Sequence, residues 1–257
     1  MNASRRAAGP VLSLLAGLAA LAASGMAAGA EETPLPKLGP DAVSLTADHG
    51  YMARAEAPDY WAFSGFVKPQ VTGSACSVAA VTAAVNGLRG LPALAEEPVL
   101  TQPALLELVG DAEWARLSAD EGDGVTFAQL ERYARAALDA AGLAEARLDS
   151  FHPGDSSEAQ LATLRTMLTE NEASAEDVLL VYFNQGVVTG DWDGPHVSLI
   201  GAYDAEEDRV LVLEVDQEWY VPYWTTAPVL LKAMVKPTSA EHGPLEGETG
   251  GLVRIRR

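Results

Sequence analysis

The sequence predicts an α+β domain in which helices come first and antiparallel strands follow. Apolar residues recur at helical spacing over 127–138, as expected for one buried helix face. The pattern then changes at 178–183, a continuous apolar run rich in β-formers that indicates a buried strand. Two further apolar runs, 196–203 and 209–215, are separated by a short turn and are typical of paired strands. Separate helical and strand regions are characteristic of an α+β fold.

The predicted helices each have a local reason. Residues 76–88 are rich in alanine, which permits close packing, and the glycines near their end favour termination. The segments after Thr126 and Ser157 begin with capping-box spacing, a hydroxyl followed three residues later by glutamine. We therefore predict helices over 76–88, 103–117 and 126–142, from 157 through Leu168, and, after the strands, over 226–235.

Composition divides the chain into four segments. Residues 1–30 have a paired-arginine start, an apolar stretch and an Ala-x-Ala site, as in a signal peptide. We expect export, to the periplasm or outside a bacterial cell, with an uncleaved membrane anchor as the alternative. Residues 31–58 are predicted as a lead-in with little regular structure. The main domain is expected over 59–236, followed by a C-terminal tail over 237–257, of which 237–250 is expected to be loose.

Charge limits the partners that the protein is expected to bind. The chain has a net charge of −19, and removing residues 1–30 would remove two arginines and no acids, giving −21. A chain this acidic should repel nucleic acid and anionic lipid surfaces. We therefore expect the mature form to bind neither nucleic acid nor membranes. The four histidines and one cysteine show no metal-ligand spacing. We expect no metal site and no tightly bound cofactor, and the sequence does not predict an oligomeric state.

Cys76 is the only cysteine in 257 residues. Exported proteins usually pair their cysteines as disulfides, so a single one is either a small buried hydrophobe or a thiol kept for chemistry. Cys76 begins a predicted helix, and a helix N-terminus stabilises a thiolate. His196, at the start of a predicted strand, is a candidate base, because a neighbouring imidazole activates a thiol.

Two acids compete to orient this imidazole. Glu214 and Asp216 alternate with apolar residues, so a strand would place both on the same face. Either acid can fix the tautomer of the imidazole. Alternatively, both acids lie on a solvent-exposed strand face, and His196 then has no orienting group. Gln70, six residues before Cys76, is a candidate oxyanion donor together with the Cys76 backbone N–H, or else an ordinary surface glutamine.

Four stretches of the chain resemble the phytochelatin synthase family, in the same order and over about 70–224. They are 70–76 with the helix that follows and its Asn86; Gly124-Val125-Thr126-Phe127; 193–203; and 211–224. The resemblance implies a papain-like fold with the catalytic domain over 59–236. It also implies that Cys76 is the nucleophile, His196 the base and Gln70 an oxyanion donor. Aligned from His196, the family's catalytic aspartate falls on Glu214, with Asp216 in reserve.

The resemblance also implies a reaction. Cys76 would attack the Cys–Gly bond of glutathione, release glycine and hold a γ-glutamylcysteinyl thioester, which passes to water or to a second glutathione. A heavy-metal ion would enter mainly as part of a metal–glutathione substrate and not as a catalytic ion. The family's arginine and lysine near this site fall here on Gln217 and Trp219, so the substrate is less well defined than the chemistry.

Two other functions remain open from the sequence. One is a papain-fold peptidase or amidase acting on another peptide of the cell envelope. The other is a non-catalytic envelope binding domain in which Cys76 is buried and inert.

Overall fold

The computed structural model describes residues 36–257. The predicted signal segment, 1–30, lies outside the described residues. Nine α-helices are found in the described part: α1 Gly50–Arg54, α2 Pro58–Phe63, α3 Cys76–Arg89, α4 Gln102–Val109, α5 Ala112–Leu117, α6 Phe127–Ala140, α7 Glu158–Asn171, α8 Gln185–Thr189 and α9 Ala227–Val235. None of the helices in this region is long and apolar enough to cross a membrane.

Within residues 36–257, seven strands form one sheet. They are β1 Val43–Ser44, β2 Arg147–Phe151, β3 Asp177–Asn184, β4 Pro195–Asp204, β5 Arg209–Leu213, β6 Tyr223–Thr226 and β7 Gly251–Arg256. Their order is β1-β6-β5-β4-β3-β7-β2, and every neighbouring pair is antiparallel. The predicted α+β class, with helices packed on an antiparallel sheet, is confirmed.

Helices cover both faces of the sheet. Alternate residues of β3, beginning with Val178, join one apolar cluster with α3 and α6. The residues between them, beginning with Leu179, join a second cluster with α7 and α9. Because β3 is buried on both faces, its sequence is continuously apolar rather than alternating.

The prediction that residues 237–257 form a tail outside the main domain is wrong for the final residues. Residues 251–256 form β7, which lies inside the sheet between β3 and β2. Arg254 of this strand is buried against Asp177 of β3, with Nε to Oδ2 at 2.5 Å. The strand was not predicted because two of its six residues are arginines, which interrupt the apolar pattern. Local spacing does not show that an arginine is paired with a distant acid.

Other differences are smaller. The predicted helix 103–117 is two helices, because Gly110 adopts a left-handed conformation (φ 69°) and ends α4. Strand β2 was not expected, and it is a polar edge strand. The described part of the lead-in, 36–58, contains β1 and α1.

Gly87 does not end α3 but allows a close helix contact. The helix continues to Arg89, and a Cβ atom at position 87 would overlap the Phe63 ring of α2. Phe63 is fully buried in the core that supports α3. The missing side chain therefore sets how closely α2 approaches the helix that begins with Cys76.

We predict that Gly87→Ala destabilises the fold by about 1–3 kcal/mol, because the new methyl group overpacks the α2–α3 contact. Gly65→Ala is the matched control, since a Cβ there meets no atom within 4 Å. Thermal unfolding checks both variants. Equal melting temperatures for the two would contradict this role of Gly87.

Asp59 of α2 makes stability depend on pH. Its carboxylate is buried, and neither oxygen has a hydrogen-bond partner in the described region. Burial, followed by the nearby charges of Asp177 and Glu172, raises the pKa of Asp59 to about 9. From about pH 4 to 9 the unfolded chain releases a proton that the native state retains, so stability falls as pH rises through this range.

Asp59→Asn should therefore stabilise the protein by about 1–3 kcal/mol at pH 8 relative to the wild type, and by much less at pH 4. Urea unfolding at the two pH values measures the difference. A stability gain that does not change with pH would show that Asp59 is ionised in the native state.

Candidate active site

Cys76 is the first residue of α3, and it is half-buried. The loop before it is held by its own hydroxyl groups: Thr72 Oγ1 donates to the Ser118 carbonyl at 2.7 Å, and Ser74 Oγ donates to the Gly122 carbonyl at 2.5 Å. No side chain caps the N-terminus of α3. The positive end of a 14-residue helix is therefore available to the Cys76 sulfur.

His196 is the second residue of β4 and is almost completely buried, 3% exposed. It lies opposite Phe183 of β3, and the two rings meet edge to face with centroids 5.7 Å apart. Its Nε2 lies 2.6 Å from Glu214 Oε1. Cys76 is close enough to raise the pKa of His196, and because Glu214 occupies Nε2, Nδ1 is the nitrogen left to the thiol.

Glu214 follows directly after β5 and is fully buried. Its Oε1 also accepts the Asp216 backbone N–H at 2.7 Å, and its Oε2 accepts Gln185 Nε2 at 3.1 Å. Both oxygens therefore have donors, which a buried carboxylate requires.

The imidazole and the carboxylate shift each other's titration. Burial disfavours the charged imidazolium, but the Glu214 charge and the hydrogen bond with Cys76 outweigh it and raise the pKa of His196 to about 10. Burial would likewise raise the pKa of Glu214, but the His196 charge and its hydrogen bonds keep that pKa lowered. The pair is therefore charged at neutral pH.

Asp216, the alternative orienting acid, takes a different position. Its backbone N–H supports Glu214, whereas its side chain lines the cleft, and no hydrogen bond joins that side chain to His196 in the described region. Burial, with the neighbouring acids, raises the pKa of Asp216. Of the two acids that the sequence left open, the structure brings Glu214 to the imidazole.

Gln70 lines the same cleft as Cys76 and His196. Its backbone N–H donates to the Val215 carbonyl at 2.8 Å, and its side-chain amide makes only a long 3.4 Å contact with the Gly73 carbonyl. The side-chain amide is therefore weakly held, so it can turn to a stronger acceptor.

Sequence reasoning missed two supporting glutamines. Gln185 donates a hydrogen bond to Glu214. The sequence feature that could have indicated it is the polar pair Asn184-Gln185 directly after the apolar run 178–183. Gln102 is buried and holds the loop of Gln70 from both sides, accepting from Val71 N–H at 3.1 Å and donating to the Pro69 carbonyl at 2.8 Å. Nothing in its local sequence distinguishes Gln102, because its partners lie over thirty residues away.

Two cavities meet at Cys76. The larger, about 760 Å³, is lined by Gln70, His196 and Asp216. The smaller, about 380 Å³, has walls that include Val197 and residues 122–125. The described region contains no group of three or more histidine, cysteine or acidic side chains placed to hold a metal ion.

The phytochelatin synthase family model matches residues 36–242, most of the chain. The protein belongs to the phytochelatin synthase family. The family and the fold identify a papain-like, cysteine-type enzyme whose function is of the glutathione-related acyltransferase or protease kind.

Other comparisons add little. Among curated proteins, none matches this chain. Among solved structures, the Pseudomonas avirulence protein AvrPphB is similar at 13% identity, with 71% of this chain and 91% of that chain covered. Its TM-score of 0.34 is too low to support an inference.

The geometry predicts how the two acids differ in their effect on His196. In Glu214→Gln the pKa of His196 should fall by about 1–3 pH units, because the imidazolium loses its ion-pair partner. In Asp216→Asn it should change much less. Titration of the histidine ring signals by NMR measures both, and a larger effect of Asp216→Asn would make Asp216 the orienting acid.

Proposed function

We propose that this protein is a thiol acyltransferase or hydrolase that breaks the Cys–Gly amide bond of glutathione. One observation carries the proposal: Cys76 lies beside His196 at the wall of an open cleft, and His196 is hydrogen-bonded to Glu214 at 2.6 Å. Family membership supplies the glutathione-related chemistry, and these three residues supply a nucleophile, a proton donor and an orienting carboxylate.

The first half-reaction acylates Cys76. The imidazolium of His196 stabilises the thiolate, whose sulfur attacks the carbonyl carbon while the carbonyl electron pair moves to oxygen. The Cys76 backbone N–H and Gln70 Nε2 would stabilise this oxyanion. Collapse of the intermediate breaks the C–N bond, and the glycine amine takes the proton from His196 Nδ1. A γ-glutamylcysteinyl thioester remains on Cys76.

The second half-reaction regenerates the thiol. His196, now neutral, accepts a proton from the attacking water or from the amino group of a second glutathione, and the C–S bond breaks. Water gives γ-glutamylcysteine, and a second glutathione gives a phytochelatin. Glu214 holds the ring in the tautomer that both steps need, and Gln185 holds Glu214.

The proposal includes the setting of the enzyme. A heavy-metal ion enters with the substrate, as a metal–glutathione thiolate, and no resident cofactor is required. The signal-like segment 1–30 supports export to the periplasm or beyond.

A second candidate is a papain-fold peptidase or amidase for another peptide. It is favoured by Gln217 and Trp219, which stand where the family has arginine and lysine to hold carboxylates. A non-catalytic binding domain is disfavoured, because Cys76 is half-buried and lines both cavities rather than lying inside the core.

We predict that the protein releases glycine from glutathione and that Cys76→Ala abolishes the release. Gln70→Ala should lower turnover by about 10²–10³, the usual effect of removing one oxyanion donor. Mass spectrometry of incubations with and without cadmium identifies the products and detects the thioester adduct.

Gln160→Ala serves as a control variant, because Gln160 lies in α7 and lines neither cavity. A wild type that forms a thioester with other peptides but releases no glycine would favour the peptidase. A folded protein whose Cys76 does not react with iodoacetamide would favour the binding domain.

A further inference from the structure

His196 identifies the side of the cleft that receives the leaving group. The imidazole must protonate the leaving amine, so this amine has to lie within reach of the ring. The larger cavity, about 760 Å³, has His196 in its wall, whereas the smaller cavity has Val197 instead. The leaving group therefore occupies the larger cavity, and the acyl group retained on Cys76 occupies the smaller one.

The walls of the larger cavity carry an excess of negative charge. Four carboxylates line it: Asp120, Asp191, Asp216 and Glu218. Lys37 is the one lysine or arginine among its lining residues, and Asp191 binds it at 3.1 Å. The other three carboxylates have no ion-pair partner in the described region, and the charge of His196 is matched by Glu214.

The same wall has a large exposed aromatic surface. Trp219 is 62% exposed, and Trp192 is 45% exposed. The ammonium group of Lys37 lies over the rings of Trp219 and Tyr220, at 5.0 and 4.3 Å from their centroids. This part of the cleft thus already holds one alkylammonium group by aromatic faces and a carboxylate, which shows the kind of ligand that its surface suits.

A free glycine carboxylate is a poor match for this wall. It would enter among three unpaired carboxylates and would have to compete with Asp191 for Lys37. An amide or an ammonium group in the same place would avoid that repulsion and would gain from the aromatic faces.

We propose that the leaving-group side of the cleft selects neutral or cationic amines over amines that carry a carboxylate. The preferred substrates are then γ-glutamylcysteinyl peptides whose C-terminus is amidated or joined to an amine, with glutathione itself turned over more slowly. This specificity rests on the proposed function, and Asp120 and Glu218 are its determinants outside the group formed by Cys76, His196 and Glu214.

The first experiment measures the charge of the cleft without requiring turnover. Cys76 is the only cysteine, so cationic and anionic methanethiosulfonate reagents report on this site alone. The double variant Asp120→Asn/Glu218→Gln should lower the ratio of cationic to anionic labelling rates by about three- to tenfold, because two nearby charges are removed. His196 acts equally on both proteins, so it does not affect the comparison.

The matched control is Glu145→Gln/Glu158→Gln, which removes the same charge at two exposed positions that do not line either cavity. Its labelling ratio should stay at the wild-type value. A ratio that falls equally in both double variants, or in neither, would overturn the proposal.

The second experiment measures specificity. We expect kcat/KM for γ-glutamylcysteinylglycinamide to exceed that for glutathione by about fivefold or more, and the preference to shrink in Asp120→Asn/Glu218→Gln. Equal turnover, or a preference for glutathione, would overturn the proposed specificity and leave the proposed function standing. Failure of the wild type to cleave either peptide would overturn the proposed function. In that case the labelling ratios would still show whether Asp120 and Glu218 give the cleft a negative potential at Cys76.

Discussion

The buried ion pair between His196 and Glu214 is the interaction on which the rest of the site depends. Removing two charges from water costs several kcal/mol per ion, and their mutual attraction offsets this only when the remaining hydrogen-bonding groups are satisfied. Here the Asp216 backbone N–H and Gln185 Nε2 donate the remaining hydrogen bonds to the Glu214 carboxylate. The Cys76 thiol lies beside the other nitrogen of the His196 ring. The arrangement therefore requires strands β3, β4 and β5 and the turn after β5 to be in place together.

The nucleophile reaches this pair from another part of the chain, and small side chains control the distance. Helix α3 packs on β4, alanines such as Ala80 and Ala83 are buried along it, and Gly87 lets the Phe63 ring approach its other end. A larger residue at these positions would move the helix axis and, with it, the Cys76 sulfur. The backbone bond from Gln70 N–H to the Val215 carbonyl then joins the loop before α3 to the turn after β5. The geometry of catalysis is thus set by packing between the two halves rather than within either.

The sequence predicted correctly those site residues that are marked by their immediate neighbours in the chain. Cys76 begins an alanine-rich helix and His196 begins an apolar strand, and both signals lie within a few residues of the site. The residue pattern alone did not decide between Glu214 and Asp216, because it assumed that strand alternation continues to residue 216; the alignment with the family favoured Glu214. Strand β5 ends at Leu213, and the chain then turns, with the Tyr220 N–H bonded to the Asp216 carbonyl. After the turn begins, residues two apart no longer share a face.

Strand β7 and the supporting glutamines were missed for a related reason. Arg254 is tolerated inside the sheet only because Asp177 of β3 and Glu170 of α7 meet it, and both partners lie more than seventy residues earlier in the chain. Gln102 likewise gains its role from a loop about thirty residues before it. A polar residue whose partners are distant looks like an exposed one in the sequence, so spacing alone cannot assign it to the core.

Two departures from the family pattern lie near the cleft but outside the group formed by Cys76, His196 and Glu214. Trp219 lines the cleft, whereas Gln217 does not. Gln217 stands at one basic position of the family, and its amide supports the turn by donating to the Glu214 carbonyl at 3.0 Å. Trp219 stands at the other, where its ring receives Lys37 instead of contributing a charge. Both changes leave Cys76, His196 and Glu214 in place, and they remove two cations from the vicinity of a cleft wall that carries four carboxylates. Because electrostatic repulsion acts on the bound substrate and not on the thiol–imidazole geometry, the proposed acyl transfer is compatible with the proposed change in the choice of leaving group.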